Sequence, residues 1–400
     1  MRISLFYPYS DLPGPKRPGR GLTLARELAK RGHEVTLLVS GFDHATKTPR
    51  SIREEFNIGR GVLKIRSINS GSYKRNISAS RIFFERAFGE GAAQELRTMP
   101  AQDLLVLHEP AAFWAPALMS RIGTKRARYV LDVIDMWPEM FRTVLPRQLK
   151  WLGEPVWKIV ERTRANVVRD AAGIVSVSAD YLPMLDIPVR TPTRVVYWGI
   201  DLERFEAEVA KGASLNGTTE TTRPRLIYSG SIGEKYDMRT LLDAACLLQQ
   251  QNWHGIIEVA GTGPLAGWLE KEIGLKELSN IRMHGTLHGP ALATLYRSGA
   301  AGLAMYSPGS AVSMPVKAFD YFAAELPIIT SVQLELGRIV TQEQVGQLYR
   351  AGSPESLSSA IVKLSAMPRD QEMRGRLKAL AQRLNSRSQY MGFAEFLEGI

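Results

Sequence analysis

Short apolar runs alternate with helix-like patterns along most of the chain, and this alternation constrains the fold more than any other feature of the sequence. The apolar runs have the length of buried strands, and the segments between them place apolar residues at helical spacing. Strand, helix and strand repeated in this order predict parallel sheets with helices on both faces. The predicted strands are Ile3–Tyr7, Glu34–Val39, Leu63–Ser67, Asp103–Leu107, Arg128–Val133 and Gly173–Ser176, followed by Arg225–Ser229, Gly255–Ala260, Ile281–His284, Ala301–Met305 and Pro327–Thr330. The predicted helices include Leu22–Arg31, Thr240–Gln250, Pro264–Ile273, Pro290–Arg297, Val316–Ala324 and Pro354–Ala366.

The alternation stops in one place and then begins again, which indicates two domains. Residues 206–223, EAEVAKGASLNGTTETTR, are polar and rich in Gly and Thr, and we expect a loop there, near the start of the second domain. A chain of 400 residues also exceeds the size of one ordinary hydrophobic core. We predict an α/β fold of two doubly wound domains, residues 1–197 and 198–380, with a helix in residues 381–400 that packs back on the first domain. Ligand is expected where the carboxyl ends of the two sets of strands face each other.

The composition is that of a globular protein with an anionic partner. Hydrophobic residues make up 44% of the chain and charged residues 23%, and no apolar run approaches the roughly 18 residues that a spanning helix requires. The first residues, MRISLFYPYSD, fit a buried strand better than a signal peptide, and the single cysteine, Cys246, is typical of a reducing compartment. We therefore expect a cytoplasmic protein. The net charge of +11 favours nucleic acid, an anionic membrane or phosphorylated ligands, without choosing among them.

Glycine-containing turns follow several predicted strands of the second half. They are YSGSIGEKYD (228–237), VAGTGPLAGWL (259–269) and YSPGSAVSMP (306–315). Glycine after a strand lets the backbone turn tightly and approach a ligand, and the free amides at the next helix start favour anions. Gly261, Thr262 and Gly263 fit this pattern well, with Pro264 at a first helical position. One such turn is common for steric reasons alone, but three at strand ends of one half predict a nucleotide-sized site.

The sequence lacks the dinucleotide-binding fingerprint and any clear arrangement of metal ligands. Neither the first strand nor the strand at 225–229 is followed by Gly-x-Gly-x-x-Gly with an acidic residue about 20 positions on. The six histidines are scattered, and no two aspartates stand one residue apart. We therefore expect no metal and no cofactor, and a bound diphosphate would have to be neutralised by Lys, Arg and helix amino termini.

The stretch MPVKAFDYFAAELPII (314–329) is apolar except for a few positions, and two of these carry opposite charges. Lys317 and Asp320 are three residues apart, so they share one face of the predicted helix near its amino end. A cation there is unfavourable unless an anion binds beside it. One hypothesis is therefore a bound phosphate at Lys317, with Asp320 accepting hydrogen bonds from ribose hydroxyls. The other is a simple ion pair on a solvated face.

Several segments, in order along nearly the whole chain, resemble the family-four retaining glycosyltransferases, which have the GT-B fold. SMPVKAFDYFAAELPIIT is similar to the segment Pro-Ser-Lys-x-x-Glu-Tyr-Met-Ala-Ala-Gly-x-Pro-Val-Ile of that family. GLTLARELAKRGHEVTLL resembles its first helix and second strand, and YVLDVIDMWPEMF its Asp-x-x-Asp-x-Trp-Pro-Glu segment. VVYWGIDLERF resembles its hinge, and GTGPLAGWLEKEIGLKELSNIRMHGTL its Gly-x-Gly-Pro turn and the strand that follows. The resemblance implies transfer of a sugar from a nucleotide-sugar donor.

By this resemblance, the second domain binds the donor. Asp320 would bind the ribose, Lys317 would lie close to the donor phosphates, and Gly230, Ser231 and Lys235 would form the phosphate loop. Ser231 stands where the family has Arg, so Lys235 would supply that positive charge. The family's first glutamate, about eight residues before the position of Asp320, has no acidic counterpart in SPGSAVSM.

The predicted mechanism needs no metal, because cations and amides can bind the charge that grows on the leaving diphosphate. Lys235 and Lys317 are the catalytic candidates on the donor side. Asp135 closes the strand pattern YVLDVID and could orient or deprotonate the acceptor hydroxyl. His108 and Glu109 are further acceptor-side candidates, whereas Asp132 also fits a loop cap.

The segment from Lys125 to Arg169 is rich in Lys, Arg and Trp. A basic amphipathic surface of this kind suits an interfacial helix on an anionic membrane, and equally an ordinary half-buried helix pair with a solvated basic side. The family resemblance favours a peripheral protein on the inner face of the cell membrane that uses a saccharide or lipid-linked acceptor.

The resulting prediction is a glycosyltransferase of cell-surface polysaccharide synthesis, such as lipopolysaccharide, that uses a UDP-sugar in preference to a GDP-sugar. A nucleotide-sugar epimerase on the same plan would need an acid and a base beside the donor sugar, and SPGSAVSM supplies neither. A nucleic-acid-binding protein would account for the net charge, but it leaves Lys317 and Asp320 without a role, and we expect no nucleic-acid partner. A catalytically inactive partner subunit is the remaining alternative.

Overall fold

The computed structural model describes residues 1–10, 12–13, 18–44, 46–74, 78–109, 111–123, 128–136, 150–215, 223–367 and 370–400, with the backbone alone for residues 150–157 and 213–215. The chain divides into two compact units. Unit 1 contains Met1–Tyr197 and Gln389–Ile400, and unit 2 contains Trp198–Ser388.

Unit 1 is built on an eight-stranded sheet with the strand order β3-β4-β2-β1-β5-β6-β7-β8. All its neighbouring strands are parallel except β3 and β4, which form an antiparallel pair at one edge. Its strands are β1 Arg2–Phe6, β2 Glu34–Ser40, β3 Arg53–Ile58, β4 Gly61–Ile68, β5 Leu104–Glu109, β6 Tyr129–Val133, β7 Gly173–Ser176 and β8 Thr193–Val195. Its helices are α1 Arg20–Lys30, α2 Ala79–Arg97, α3 Trp114–Ile122 and α4 Lys150–Arg169, with a 3-10 helix at Ala179–Met184.

Unit 2 is built on a six-stranded parallel sheet with the order β11-β10-β9-β12-β13-β14. Its strands are β9 Arg225–Ser229, β10 Ile256–Ala260, β11 Ile281–Gly285, β12 Ala301–Ala304, β13 Ile328–Thr330 and β14 Gly346–Leu348. Its helices are α5 Leu202–Leu215, α6 Met238–Gln250, α7 Ala266–Leu275, α8 Gly289–Arg297, α9 Val316–Ala323, α10 Glu335–Gln342, α11 Pro354–Ala366 and α12 Gln371–Arg383, and α13 Ser386–Glu398 continues into unit 1.

The predicted fold class, two doubly wound parallel-sheet domains, is confirmed. The central strands are buried, because helices cover both faces of each sheet: β1, for example, is buried from Ile3 to Phe6. Each unit has a core of its own, with Leu5 and Val106 in that of unit 1 and Ile257 and Leu303 in that of unit 2. Each of the strands and helices predicted from the alternation is present, with ends that differ by a few residues.

The loop predicted for residues 206–223 is wrong over its first part, because α5 continues to Leu215. Gly212, which weakened the helical pattern, lies where α5 meets α8, and a Cβ there would collide with Thr294 Oγ1 and the Pro290 carbonyl oxygen. The apolar side of α5 includes Phe205, which is buried and has the Arg297 guanidinium 5.5 Å from its ring centre. Tertiary packing therefore stabilises a helix whose local propensity is low.

A buried ion pair fixes the start of α1 in unit 1. Both Nε and Nη2 of Arg20 donate to the Asp132 carboxylate, at 2.7 Å each, and the Tyr7 hydroxyl donates to the same carboxylate at 2.5 Å. Arg20 Nη1 also donates to the carbonyl oxygen of Val196 at 2.9 Å. Asp132 therefore does not cap a loop; it neutralises a buried guanidinium.

The end of the chain packs on unit 1. Tyr390, Phe393 and Leu397 of α13 belong to the core of that unit, and the Phe393 ring lies 5.1 Å from the Arg20 guanidinium carbon. Residues 381–388 were predicted to belong to this terminal helix but lie in unit 2, and α12 and α13 are separate helices.

The sequence predicted membrane contact around residues 125–169, and most of this segment lies outside the described residues or has only its backbone described. The described backbone forms α4 over Lys150–Arg169. In the part of the chain that the structure describes, no helix has both the length and the apolar character needed to cross a bilayer. Among the same residues, no three His, Cys, Asp or Glu side chains are grouped as metal ligands would be.

Candidate functional site

The candidate site of unit 2 lies at the carboxyl ends of its strands, where the direction of the strand order reverses. β9 pairs with β10 on one side and with β12 on the other, so the connections that follow β9 and β12 lead away in opposite directions. Ligands of doubly wound sheets bind outside the strand ends at such a switch point. The three glycine-containing turns singled out in the sequence follow β9, β10 and β12.

Glycine allows the first two of these turns to lie directly against each other. The amide of Gly230 donates to the Ala260 carbonyl at 3.0 Å, and the amide of Ile232 donates to the Thr262 carbonyl at 2.9 Å. A Cβ on Gly261 would collide with the Gly230 carbonyl oxygen. Any larger residue at position 261 would therefore push the two turns apart.

The amine of Lys317 is buried at this edge without a hydrogen-bond partner. Lys317 lies in the first turn of α9, is 9% exposed, and its Nζ makes no hydrogen bond. The rings of Tyr228, Tyr236 and Tyr306 surround it, with centres 4.1, 4.8 and 5.7 Å from Nζ. A Cβ on Gly230 would lie 3.2 Å from Nζ, so the amine is beside the glycine turn. An ammonium has three donors, and burying them unused is costly unless a ligand accepts them.

Burial lowers the pKa of Lys317 to about 7, and the negative charge of Asp320 acts in the opposite direction. The faces of the surrounding tyrosine rings also favour the ammonium form. The amine is therefore divided between its charged and uncharged forms near neutral pH. An anion bound next to it would favour the charged form and raise its pKa.

Asp320 follows Lys317 by three residues on α9 and is partly buried. The hypothesis of a simple ion pair on a solvated face is wrong, because Lys317 is buried and its Nζ makes no hydrogen bond to Asp320. The helix starts after Pro315, and no side chain caps its amino end. An uncapped helix amino terminus next to a buried amine is a favourable place for an anion.

The other donor-side candidates lie on the same turns, with exposed side chains. Ser231 and Lys235 are exposed in the turn after β9, and Thr262 is exposed in the turn after β10. The carbonyl oxygen of Ser231 accepts the Tyr228 hydroxyl at 2.5 Å, and that of Lys235 accepts the Ser307 amide at 3.1 Å. Gly263 is held close to the carbonyl oxygen of Ile232. The structure thus brings Gly230, Ser231, Lys235, Gly261, Thr262, Gly263, Lys317 and Asp320 to one edge of unit 2.

The acceptor-side candidates lie at the carboxyl edge of unit 1, at the end of β5 and just after the neighbouring strand β6. His108 is buried, its Nδ1 has no hydrogen-bond partner, and burial lowers its pKa to about 4. Glu109 is buried and accepts the Ala111 amide at 2.7 Å. Asp135 is partly buried in the bend after β6. His108 is therefore uncharged at neutral pH, while Asp135 is the most accessible of these side chains.

The tyrosines around Lys317 were not singled out in the sequence. Tyr228 and Tyr236 stand at two ends of one motif already noted, YSGSIGEKYD, and Tyr306 begins another, YSPGSAVSMP. Aromatic residues at the carboxyl ends of neighbouring parallel strands are the signal that could have identified them, because those ends meet at one edge of the sheet.

Two family models match the chain, and their ranges do not overlap. Residues 22–204 match the model of Glycosyltransferase Family 4, and residues 223–367 match that of Glycosyl transferases group 1. A search of the curated proteins finds no match.

Solved glycosyltransferase structures share the fold over the full length of this chain. Sucrose-phosphate synthase from Thermosynechococcus elongatus is 16% identical, with a TM-score of 0.74, over 100% of this chain and 98% of that protein. Anabaena HepE in complex with UDP-glucose and WaaG, a glycosyltransferase involved in lipopolysaccharide biosynthesis, are each 13% identical, with TM-scores of 0.66, over 100% of both chains. The fold and the two family matches together define the class: the chain is a glycosyltransferase with the GT-B fold.

Proposed function

We propose that this glycosyltransferase belongs to family four and transfers a sugar from a UDP-sugar, in preference to a GDP-sugar, to a saccharide or lipid-linked acceptor. We further propose that the reaction retains the anomeric configuration, requires no metal, and serves the synthesis of a cell-surface polysaccharide. The observation that carries the proposal is the buried Lys317 amine without a hydrogen-bond partner beside Gly230. The solved HepE complex contains UDP-glucose, which supports a uridine nucleotide as the donor.

The donor diphosphate would supply the acceptors that Lys317 lacks. In sugar transfer, negative charge grows on the leaving diphosphate as the glycosidic bond breaks. A cation and helix amides that are already in place bind this charge more strongly in the transition state than in the ground state, which lowers the barrier. We assign this role to Lys317 and the amino end of α9, with Lys235 as a second cation from the solvent side. Asp320 would bind the ribose hydroxyls.

We assign the acceptor to unit 1, with Asp135 orienting or deprotonating its attacking hydroxyl. His108 would remain uncharged there, because burial lowers its pKa to about 4, and it can therefore act as a neutral hydrogen-bonding group. Glu109, which accepts a hydrogen bond from the Ala111 amide, would stabilise the end of β5 next to His108. The basic segment around α4 would bring the enzyme to the anionic inner surface of the cell membrane.

The function is tested by calorimetric titration of the protein with UDP, GDP and a panel of their sugars in the presence of EDTA. We expect UDP and one UDP-sugar to bind, and NMR of the product formed with a suitable acceptor to show retention. Absence of binding by every nucleotide would contradict the proposal, and loss of binding in EDTA would contradict its metal-free part.

The affinity for UDP is expected to decrease as the pH rises above about 7. Below that pH Lys317 already carries its proton in the free protein, whereas above it a proton must be taken up when the diphosphate binds, because the pKa is about 7 before binding. Titrations between about pH 7 and about pH 9 should show a loss approaching tenfold per pH unit. Proton uptake, measured from the binding heat in buffers of different ionisation enthalpy, should disappear in Lys317→Met.

Gly261→Ala is expected to weaken UDP binding by about tenfold or more. The added Cβ collides with the Gly230 carbonyl oxygen and therefore displaces the turn after β9, which would bind the phosphates. The matched control is Gly267→Ala in α7, where a Cβ would meet no atom within 4 Å. Alanine is the better helix former, so this control should bind UDP normally. Equal binding by both variants would show that the two turns need not touch.

A further inference from the structure

A second group of charged and aromatic side chains lies at the carboxyl edge of unit 1, and the assignments made so far do not use it. Its members follow the ends of β1, β2 and β4 or lie on α2. β1 and β5 are the neighbouring strands at which the strand order of this sheet changes direction, so the group is at the switch point of unit 1. We call it the Tyr73 cluster; it consists of Tyr9, His44, Lys47, Tyr73, Arg81 and Glu85.

Two cations of the Tyr73 cluster lie close to the same aromatic ring. Lys47 Nζ is 4.4 Å from the centre of the Tyr73 ring, and the Arg81 guanidinium carbon is 5.9 Å from it. The Tyr73 hydroxyl is hydrogen-bonded to His44 Nδ1. Tyr73 is buried, so the ring keeps both cations partly away from water. Two like charges held at one partly desolvated ring repel each other, and an anion between them would remove the repulsion.

The cluster contains one buried carboxylate. Glu85 is buried, and its Oε1 accepts Arg81 Nε at 3.1 Å and the Tyr9 hydroxyl at 2.7 Å. Its Oε2 has no hydrogen-bond partner. Burial raises the pKa of Glu85, and Arg81 acts in the opposite direction. Burial first and Arg81 second lower the pKa of Lys47, and Asp43 acts in the opposite direction. The effect of Arg81 on Lys47 shows that the two cations repel each other, and an anion bound beside both would reduce that repulsion.

A second buried polar atom without a partner lies next to the cluster. The ring of His108 is centred 6.3 Å from that of Tyr9, in an edge-on arrangement, and its Nδ1 makes no hydrogen bond. Buried polar atoms are paired in most native proteins, so His108 Nδ1 and Glu85 Oε2 together indicate polar groups of a ligand at this edge.

We propose that the Tyr73 cluster is an acceptor subsite that binds a phosphate group carried by the acceptor. Arg81 and Lys47 would bind the phosphate oxygens, and where the acceptor is a sugar phosphate, His108 and Glu85 would hydrogen-bond hydroxyl groups of its sugar. The assignment of this phosphate to an acceptor rests on the function proposed above. The phosphate has two sources with the same chemistry, a soluble sugar phosphate and a polyprenyl phosphate in a bilayer.

The test uses the full chain with UDP at saturation, so that added phosphate does not bind at the donor site. Glucose 6-phosphate is compared with glucose by calorimetry, and phosphatidylcholine vesicles that contain a polyprenyl phosphate are compared with vesicles that lack it by co-sedimentation. We expect the phosphate-bearing member of one pair to bind at least about tenfold more tightly, and the pair that does so identifies the source. No preference in either pair would overturn the proposal.

Variants place the binding at the cluster. Lys47→Met and Arg81→Gln should each weaken the phosphate-bearing probe about tenfold. Arg86→Gln is the matched control, because Arg86 pairs with Glu90 on α2 with the same spacing but is 70% exposed. An equal loss in the control would show non-specific charge attraction and overturn the assignment.

UDP titration of the same variants separates this proposal from the proposed function. Lys47→Met should bind UDP normally, because it leaves unit 2 unchanged. A wild-type protein that binds UDP but does not prefer the phosphate-bearing probes would contradict the subsite alone, whereas a protein that binds no nucleotide would contradict the glycosyl transfer itself. Lys47→Met also keeps the test valid if Arg81→Gln fails to fold, because Lys47 is not part of the Arg81–Glu85 pair.

Discussion

Lys317→Met is expected to weaken UDP binding by about a hundredfold while the melting temperature stays the same or rises. The loss follows because a buried ammonium that donates to a diphosphate contributes roughly 2–3 kcal/mol, and each 1.4 kcal/mol is about tenfold. The melting temperature should not fall, because the free protein buries this amine without a hydrogen-bond partner, and methionine fills a similar space without that cost. Binding is measured by calorimetry and stability by thermal denaturation.

The matched control for this prediction is Lys363→Met, an exposed lysine on α11 of the same unit. It should change neither UDP binding nor the melting temperature appreciably. Asp320→Asn should also lose UDP affinity without unfolding, because the amide accepts ribose hydroxyls less strongly than the carboxylate. If Lys317→Met lowers the melting temperature by many degrees and leaves UDP binding intact, the amine stabilises the fold and does not bind the donor.

Arg20→Met is expected to destabilise unit 1 by about 3–5 kcal/mol, the largest effect on stability that we predict. The substitution leaves the fully buried Asp132 carboxylate without its guanidinium, and it also removes the hydrogen bond to the Val196 carbonyl. Chemical denaturation followed by tryptophan fluorescence measures the change. UDP binding should persist in mild conditions, because unit 2 does not contain the pair.

The control for Arg20→Met is Arg53→Met. The side chain of Arg53 is 71% exposed and forms an ion pair with Glu95. Exposed pairs of this kind contribute little, so the variant should denature like the wild type. The double variant Arg20→Met with Asp132→Leu removes both charges and should recover part of the lost stability. A single variant as stable as the wild type would mean that water or a rearrangement replaces the guanidinium.

The alternation of strands and helices was sufficient to predict the sheets, because parallel strands buried on both faces form short apolar runs that stand out locally. The same method missed β3, an exposed antiparallel edge strand with the polar sequence REEFNI. It also missed most of α5, because Gly212 reduces helix propensity and the compensating contact with α8 is not visible in the local sequence. Local sequence patterns therefore predict most strands and helices, whereas α5 also depends on contacts between segments that are distant in the chain.

The residues of the candidate site, too, were predictable from the sequence only where the signal is local. The position of Lys317 in an apolar helix predicted an unusual environment, and the structure confirms that the lysine is buried. The tyrosines around it come from two separate segments, at the carboxyl ends of β9 and β12, so their grouping depends on the sheet order. The alternative of a loop cap for Asp132 is wrong for a related reason: its partner Arg20 is 112 residues away in the chain, and no spacing rule connects them.

The return of α13 to unit 1 has a consequence for how the chain is made. Unit 2 is one continuous segment, whereas unit 1 needs Gln389–Ile400, which leave the ribosome after all of unit 2. The earlier part of unit 1 therefore cannot complete its core until unit 2 has been synthesised. Until then, the apolar surface that Phe393 and Leu397 will cover stays exposed. Chaperones that shield nascent apolar surface should accordingly engage the first half of this protein for longer than the second.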